Sequence, residues 1–500
     1  MQFSCHEEIP GSHQSSHQES ARGKSAPTSM KSIMKSSLSA TLFVTAAVLC
    51  ATVFAQAQTV STIYNFTDSP TSGANPWYVT LVQGTNGSFY GTTYNGGKYV
   101  SGTIFSVTPT GQQKILYSFQ GGTADGAYPT GGLTLGTDGN FYGTTQQGGS
   151  ESQGIIFKIT PTGTYTILHN FNAFIDGAFP WGPPILASDG NFYGTSSGGG
   201  PNGRGLVYKI TSSGTFSEVY RFDVTHGYSP IAPPTQGVDG FLYIPVAQGG
   251  TDFCGTIVQM STAGVINNTY NFPCGPGGSF PLGPLVQAEN GDFYSTTQDG
   301  GANGQGTIYQ VTTGLAVTVL YSFGVNFGDG TFPAAGLLLA TDGNYYSATA
   351  EGGTYDDGTL FNTTTSGTYT SLFNFNNSAN LLQMSPLSPP VQGTSGLLYG
   401  VTEFGGGAND GTVYTLNMGL APFVNTALFS GKEGETVTLL GTHLTGTSEV
   451  TFNGSAANFK VLSDTHLAAT IPPGATTGPI RVVTPSSELL SRKTFVVKQR

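Results

Sequence analysis

Charge is scarce in this sequence. Only 9% of its 500 residues are Asp, Glu, Lys or Arg, and 17 basic against 28 acidic residues leave a net charge of −11. Such a balance repels nucleic acid and anionic lipid rather than binding them. Cysteine, histidine and tryptophan number only 4, 7 and 2. Between residues 58 and 418 the arginines are Arg204 and Arg221 and the histidines His169 and His226. Two arginines are too few for the cluster that grips a carboxylate in a sialidase-type site, and two histidines too few for a multi-His metal centre. No Gly-x-Ser-x-Gly elbow or phosphate loop occurs in a strand–turn–helix setting. Helical periodicity is missing throughout. Low charge with 73 glycines would suit a disordered chain, but 12% aromatic residues exclude one.

The N-terminus reads as an address. Residues 1–29 are polar, Ser- and His-rich, and fit no element; a start at Met30 or Met34 is expected. Lys31 and Lys35, the apolar run Leu42 to Phe54, and Ala55-Gln56-Ala57 make a signal peptide over 30–57, cleaved near Ala57. The competing reading is an uncleaved anchor behind a cytoplasmic extension. Leu49 before Cys50 does not suit a lipobox, and no other stretch approaches the 18 apolar residues of a span. The expected product is exported, has no membrane span, and is a monomer. It keeps 13 basic and 25 acidic residues, a net of −12.

From residue 58 to 418 a short string returns seven times, marked by Tyr90, Tyr142, Tyr193, Tyr243, Tyr294, Tyr346 and Tyr399, at steps of 50 to 53 residues. A constant period of this length means tandem structural units. In the second copy, run a is 132–137, Asp138-Gly139 is a hairpin turn, run b is 141–145, Gly148-Gly149 a loop, run c 155–160, Pro161-Thr162-Gly163 a turn, and run d 165–171. Four antiparallel strands per unit is the pattern of a β-propeller blade. Run c and run d each occur seven times, but the first run d, Val60 to Phe66, precedes the first run a, and the last copy ends at run c, Thr412 to Leu416. The fold class expected is therefore all-β: a seven-bladed propeller whose last blade is completed by the N-terminal strand, since closure removes an open edge.

In such a blade the a–b and c–d turns share one face; the d–a and b–c loops share the other. The first set is short and uniform. The second set is longer and varied, and variable loops on a rigid scaffold carry binding. It includes Asp125, Tyr128, Asp176, Tyr228 and Asp329, with Tyr94, Lys98, Tyr99, Arg204, Tyr355, Asp356, Asp357 and Phe404. An aromatic followed by Pro recurs and reads first as a wedge between blades. Trp77 and Trp181 stand as the better ligand candidates. Of the 20 acidic residues in this region, 11 precede Gly and so serve turns first, leaving a small pool for acid–base chemistry. No catalytic residue and no cofactor is assigned; calcium in the Asp-Gly turns stays open, without a close Asp-x-Asp cluster to support it.

Cys254 and Cys274, the two cysteines left after 1–57, are expected to form a disulfide in an exported protein. They flank runs c and d of the fourth copy, and their midpoint, 264, falls in the Ala263-Gly264 turn, which places them opposite one another. Beyond Pro422 the repeat stops, and residues 422–500 show new alternating runs: 436–440, 449–452, 466–471, 480–483 and 494–497. These make a small β-sandwich.

Two resemblances attach to these strings. The core [Thr/Ser]-[Asp/Asn]-Gly-x-[Phe/Leu]-Tyr-Gly-Thr, the Gly-Gly loop and the Gly-Thr-[Ile/Val]-[Phe/Tyr] strand resemble the secreted bacterial GloVer repeat of choice-of-anchor proteins, over 59–417. The fourth copy departs, with Phe241-Leu242-Tyr243-Ile244-Pro245. The resemblance implies an exported surface-type protein with no established activity. Kelch repeats are similar in period but place Gly-Gly differently. The strings Gly434 to Gly441, Val450 to Gly454, Ser463 to Leu467 and Ile471 to Ala475 resemble an IPT/TIG immunoglobulin-like domain, which implies a spacer or interaction module. Two functions of different class follow. One is a non-catalytic binding or scaffold protein for a polysaccharide or surface protein. The other is a propeller-fold glycoside hydrolase or polysaccharide lyase.

Overall fold

A computed structural model describes residues 60–333, 336–376 and 383–498. The signal peptide expected at 30–57 and the residues before it lie outside the described residues. Gln58–Arg500 forms one compact unit. The described residues are all-β apart from one short 3-10 turn, Gly275–Gly277.

Seven antiparallel four-stranded sheets fill residues 60–416, each with strands in the order a-b-c-d. Sheet 2 is typical: Thr134–Leu135, Phe141–Thr145, Ile155–Ile159 and Tyr165–Asn170. Sheets 1, 3, 4, 5 and 6 span 82–118, 185–221, 235–271, 286–322 and 338–374. Sheet 7 takes Val391–Gln392, Leu398–Thr402 and Thr412–Leu416, and its outer strand is Val60–Asn65, paired from Val60↔Leu416 to Asn65↔Thr412. Strand a pairs over two residues rather than the six expected from its pattern. The chain just before it is spent on the neighbouring sheet: the missing side chain of Gly132 faces the Thr80 carbonyl, and Gly131 abuts Gly182.

Each position of the repeated string has a physical reason. The Asp of the a–b turn accepts from its own strand-b Tyr, as in Tyr142 to Asp138 (2.8 Å), Tyr193 to Asp189 (2.8 Å) and Tyr346 to Asp342 (2.8 Å). That same Tyr stacks on the first strand-b residue of the next sheet. The pairs are Tyr90–Phe141, Tyr142–Phe192, Tyr243–Phe293, Tyr294–Tyr345 and Tyr399–Phe89, at 3.9–4.5 Å. The last pair joins sheet 7 to sheet 1. The strand-b Gly lies under a strand-c ring: a Cβ on Gly143 would come within 2.5 Å of Phe157. Thr144 donates to the carbonyl of Gly182 in the next sheet. The Pro before strand a packs on the Gly that opens strand c of the preceding sheet, as Pro180 does on Gly154. The residue before that Pro is left-handed in all seven sheets: Asn75, Tyr128, Phe179, Ser229, Phe280, Phe332 and Ser385. Strain of this kind persists only when surrounding contacts impose it.

Sheet 4 shows the rule by exception. Ile244 replaces the Gly, and the ring opposite becomes Val258. Its strand c–d bulge also moves, from the second step of the ladder to the fourth. Gly143→Ile should cost about 2–3 kcal/mol through overpacking. Adding Phe157→Val, which copies sheet 4, should recover more than half, measured by urea melts; an additive double variant would refute the pairing.

Cys254 and Cys274 form the expected disulfide, with Cα atoms 5.4 Å apart. The register behind that expectation is one residue off. Thr256 faces Asn271, so the ladder extended outward would set Cys254 against Pro273. Cys274 reaches its partner because it has left the strand, at φ 61°.

Residues 424–498 build three further sheets, of two strands (430–432, 496–498), three (436–440, 466–470, 459–463) and four (455–456, 449–452, 480–483, 488–490). The larger two face each other. They share a core of Val437, Leu439, Val450, Phe452, Leu467, Ile480 and Val482. Strands 459–463 and 488–490 escaped the sequence pattern because both are largely exposed edges. This part bonds to the a–b turns of sheets 1, 7 and 3. Thr465 donates to Thr85 O (2.7 Å), Thr394 to Gly441 O (3.0 Å), and Lys498 to Ser188 O. Leu440 joins the core between sheets 1 and 2.

Candidate functional site

At the end opposite the a–b turns, the d–a and b–c loops hold the sequence-predicted residues. The structure brings four of those together. Trp77 lies 5.2 Å from Trp181 between ring centroids and 5.0 Å from Tyr94, and Tyr94 lies 4.9 Å from Tyr128. Tyr78 adds a fifth ring, 5.4 Å from Trp77 and 6.1 Å from Trp181. Both tryptophans are half-buried. The cluster draws on sheets 1, 2 and 3, and its backbone is held by the left-handed Asn75 and Tyr128. Tyr94 N–H donates to Asn75 O (2.9 Å), and Tyr128 N–H to Ser101 O (2.9 Å).

Glu403, from the b–c loop of sheet 7, completes the site. Asn75 links it in, donating from Nδ2 to the Glu403 carbonyl at 3.3 Å. Among the described residues no hydrogen bond or ion pair reaches its carboxyl. Desolvation pushes that carboxyl up to about 7. Burial also raises the Tyr78 hydroxyl, and the Glu403 charge adds to it. A half-buried carboxylate without a partner is costly, and such groups gather where ligands bind.

The other predicted residues lie elsewhere. Asp125 is 3% exposed and its two oxygens accept from Tyr117 Oη, Tyr165 Oη, Gln120 N and Gly126 N at 2.8–2.9 Å. It ties strand d of sheet 1 to strand d of sheet 2, whose Tyr117 and Tyr165 stack at 3.9 Å. Asp329 accepts from Tyr321 Oη (2.8 Å) and Asn326 N (3.0 Å) beside the stacked pair Tyr321–Tyr369. Asp176 accepts from Asn172 N and lies 3.1 Å from His169 Nε2, without the alignment of a hydrogen bond. Tyr228 exchanges backbone hydrogen bonds with Gln248 in sheet 4. These carboxylates lie at the outer seams between sheets. Phe174 and Phe327, which the sequence did not single out, are 87% and 101% exposed on the loop rim. No group of three or more His, Cys, Asp or Glu among the described residues could hold a metal. No helix there is long and apolar enough to cross a membrane.

The profile of the Gloeobacter/Verrucomicrobia repeat matches residues 49–243 and again 231–460. The chain belongs to that repeat family. No curated protein matches it. Among solved structures it is similar to the extracellular domain assigned to a hybrid two-component system from B. thetaiotaomicron, at 12% identity and TM-score 0.46, over 85% of this chain and 53% of that one. A second such domain from B. thetaiotaomicron gives 12%, 0.48, 86% and 51%. An auxiliary nutrient binding protein from Bacteroides thetaiotaomicron VPI-5482 gives 12%, 0.38, 58% and 74%. The chain spans about half the length of the first two.

Among the Gloeobacter/Verrucomicrobia repeats, matched strand to strand, Glu403 stands out. Counted back from strand a, the position of Tyr78 is otherwise Thr130, Trp181, Ile231, Leu282, Ala334 and Leu387, because the first copy holds one residue more between its Pro and strand a. The position of Glu403 is otherwise Tyr94, Gln146, Ser197, Ala247, Gln298 and Ala350. One charge among neutral residues was a visible signal, readable only once the repeat was aligned at loop positions.

Proposed function

We propose that the seven sheets are the blades of a closed β-propeller, and that residues 422–500 are an IPT/TIG-like immunoglobulin module seated on its a–b face. The protein is an exported, non-catalytic binding or scaffold protein that recognises a polysaccharide or a surface protein through the opposite loop face. The observation that carries this reading is the meeting of Trp77 and Trp181. They are the chain's two tryptophans, 104 positions apart, and they join with Tyr78, Tyr94 and Glu403 on the face the C-terminal module leaves free. Half-buried indoles beside polar groups suit the apolar face of a sugar ring or an extended peptide. Residues 30–57 direct export, and calcium has no role in this reading.

The test is a glycan-array screen of the chain from residue 58, with affinities measured on any hit. Trp77→Ala and Trp181→Ala should each weaken binding about tenfold or more, on the order of 1.4 kcal/mol, with the β-sheet circular dichroism retained. Two variants that bind as tightly as the parent would overturn the assignment. The hydrolase or lyase reading has one observation in its favour. A carboxyl held near neutrality beside a tyrosine is what a general acid requires. Turnover of an array hit, abolished by Glu403→Gln, would establish that reading instead.

A further inference from the structure

Resting on the reading of the Trp77–Trp181 cluster as a binding site, the geometry points to a ligand that presents an organic cation. We propose that a protonated amino or quaternary ammonium group is held over the rings of Trp77 and Trp181 and against the carboxylate of Glu403.

Four observations carry this. Tryptophan is the strongest partner for a cation above a ring face, and two indoles here stand with Tyr78 and Tyr94 in one cluster, at centroid separations of 5.0–6.1 Å. Glu403 supplies the one carboxyl linked to that cluster, and no donor among the described residues satisfies it. A carboxylate desolvated without a counter-ion is retained at a cost, and a cationic ligand would offset it. Of the cations on this loop face, Lys98 lies 5.0 Å over the Tyr99 ring, and among the described residues neither it nor Arg204 forms an ion pair with Glu403. Finally, a chain with a net charge of −11 attracts cations at long range.

The sign of the pH dependence follows. Glu403 rises from its ordinary 4.5 to about 7 through desolvation. It therefore favours folding fully below pH 4.5, and that contribution is lost as pH climbs through 7. The ionised form, which holds the cation, dominates above 7. The other titratable groups around it are the hydroxyls of Tyr78, Tyr94 and Tyr128; burial raises the first two, which therefore stay neutral over this range.

The experiment uses choline and 3,3-dimethylbutan-1-ol, which share a shape and differ in charge. Tryptophan emission of the chain from residue 58 is the readout, because both indoles lie in the cluster. At pH 8 choline should bind at least tenfold more tightly than the alcohol, and that preference should fall severalfold at pH 5.5. Glu403→Gln should abolish both the preference and its pH dependence while the melting curve stays cooperative. Equal affinity for the two probes, a preference that survives Glu403→Gln, or no response to either at millimolar concentration would each overturn the cation assignment. If a neutral array glycan still binds in a Trp77-dependent manner, the binding-site reading stands and only the cation falls.

Discussion

Removing residues 60–66 should destroy the fold rather than weaken it. The strand Val60–Asn65 makes five ladder pairs with Thr412–Leu416, the outer pairing of sheet 7. Phe66 follows it, fully buried, with its ring 5.1 Å edge-on to Phe105 and its N–H donating to Gly411 O at 2.9 Å. It sits in the core that sheets 7 and 1 share, with Val79, Leu81, Tyr399 and Val413. Loss of one such ring costs about 3–5 kcal/mol. A whole domain has only about 5–15 kcal/mol to lose. The deletion also bares strand Thr412–Leu416, an apolar edge open to pairing with another chain. The expected result is no cooperative melt at the parent's Tm, with soluble oligomers by light scattering. Phe66→Ala alone should remain folded and lose about 3–5 kcal/mol in urea. A deleted chain that stays monomeric and melts with the parent would show that the N-terminal strand does not complete sheet 7.

Asp125→Ala should act on stability, and strongly for a single substitution. One buried carboxylate accepts four hydrogen bonds, two of them from tyrosines on strands d of sheets 1 and 2. Truncation leaves two hydroxyls and two backbone N–H groups without an acceptor, and each hydrogen bond to a charged group is worth about 1.5–3 kcal/mol. The bonds share one acceptor and do not add, so the net loss expected is on the order of 3–5 kcal/mol. Asp125→Asn should lose nearly as much, because an amide brings donors to a site that already holds four. Tyr117→Phe and Tyr165→Phe should each cost about 1–2 kcal/mol, and far less in the Asp125→Ala background. Glycan affinity of the folded fraction should not change. Weakened ligand binding at undiminished stability would return Asp125 to the ligand site that its loop position suggested.

What the sequence determined by itself was whatever depends on neighbours within a few residues or on the count of copies. Asp-Gly and Pro-Thr-Gly set turns through backbone conformations that few residues tolerate. Alternating apolar residues set strands b, c and d. The odd placement of Val60–Phe66 ahead of the first run a foretold which strand sheet 7 lacks. Parity of the cysteines beyond residue 57 foretold the Cys254–Cys274 bridge, although the ladder runs one residue out of the register that the midpoint implied. The tertiary structure decided what depends on residues far apart in the chain being brought side by side. Asp125 looks like a loop carboxylate until strand d of the next sheet delivers Tyr165 to it, 40 residues on. Trp77 and Trp181 meet because sheets 1, 2 and 3 turn their inner ends toward one another, where Gly131 and Gly182 leave room for close approach. Glu403 reaches the same place only because the last sheet packs against the first. Periodicity fixes each unit, but the rotation between units is set by packing at their seams, and that rotation chooses which side chains share a site.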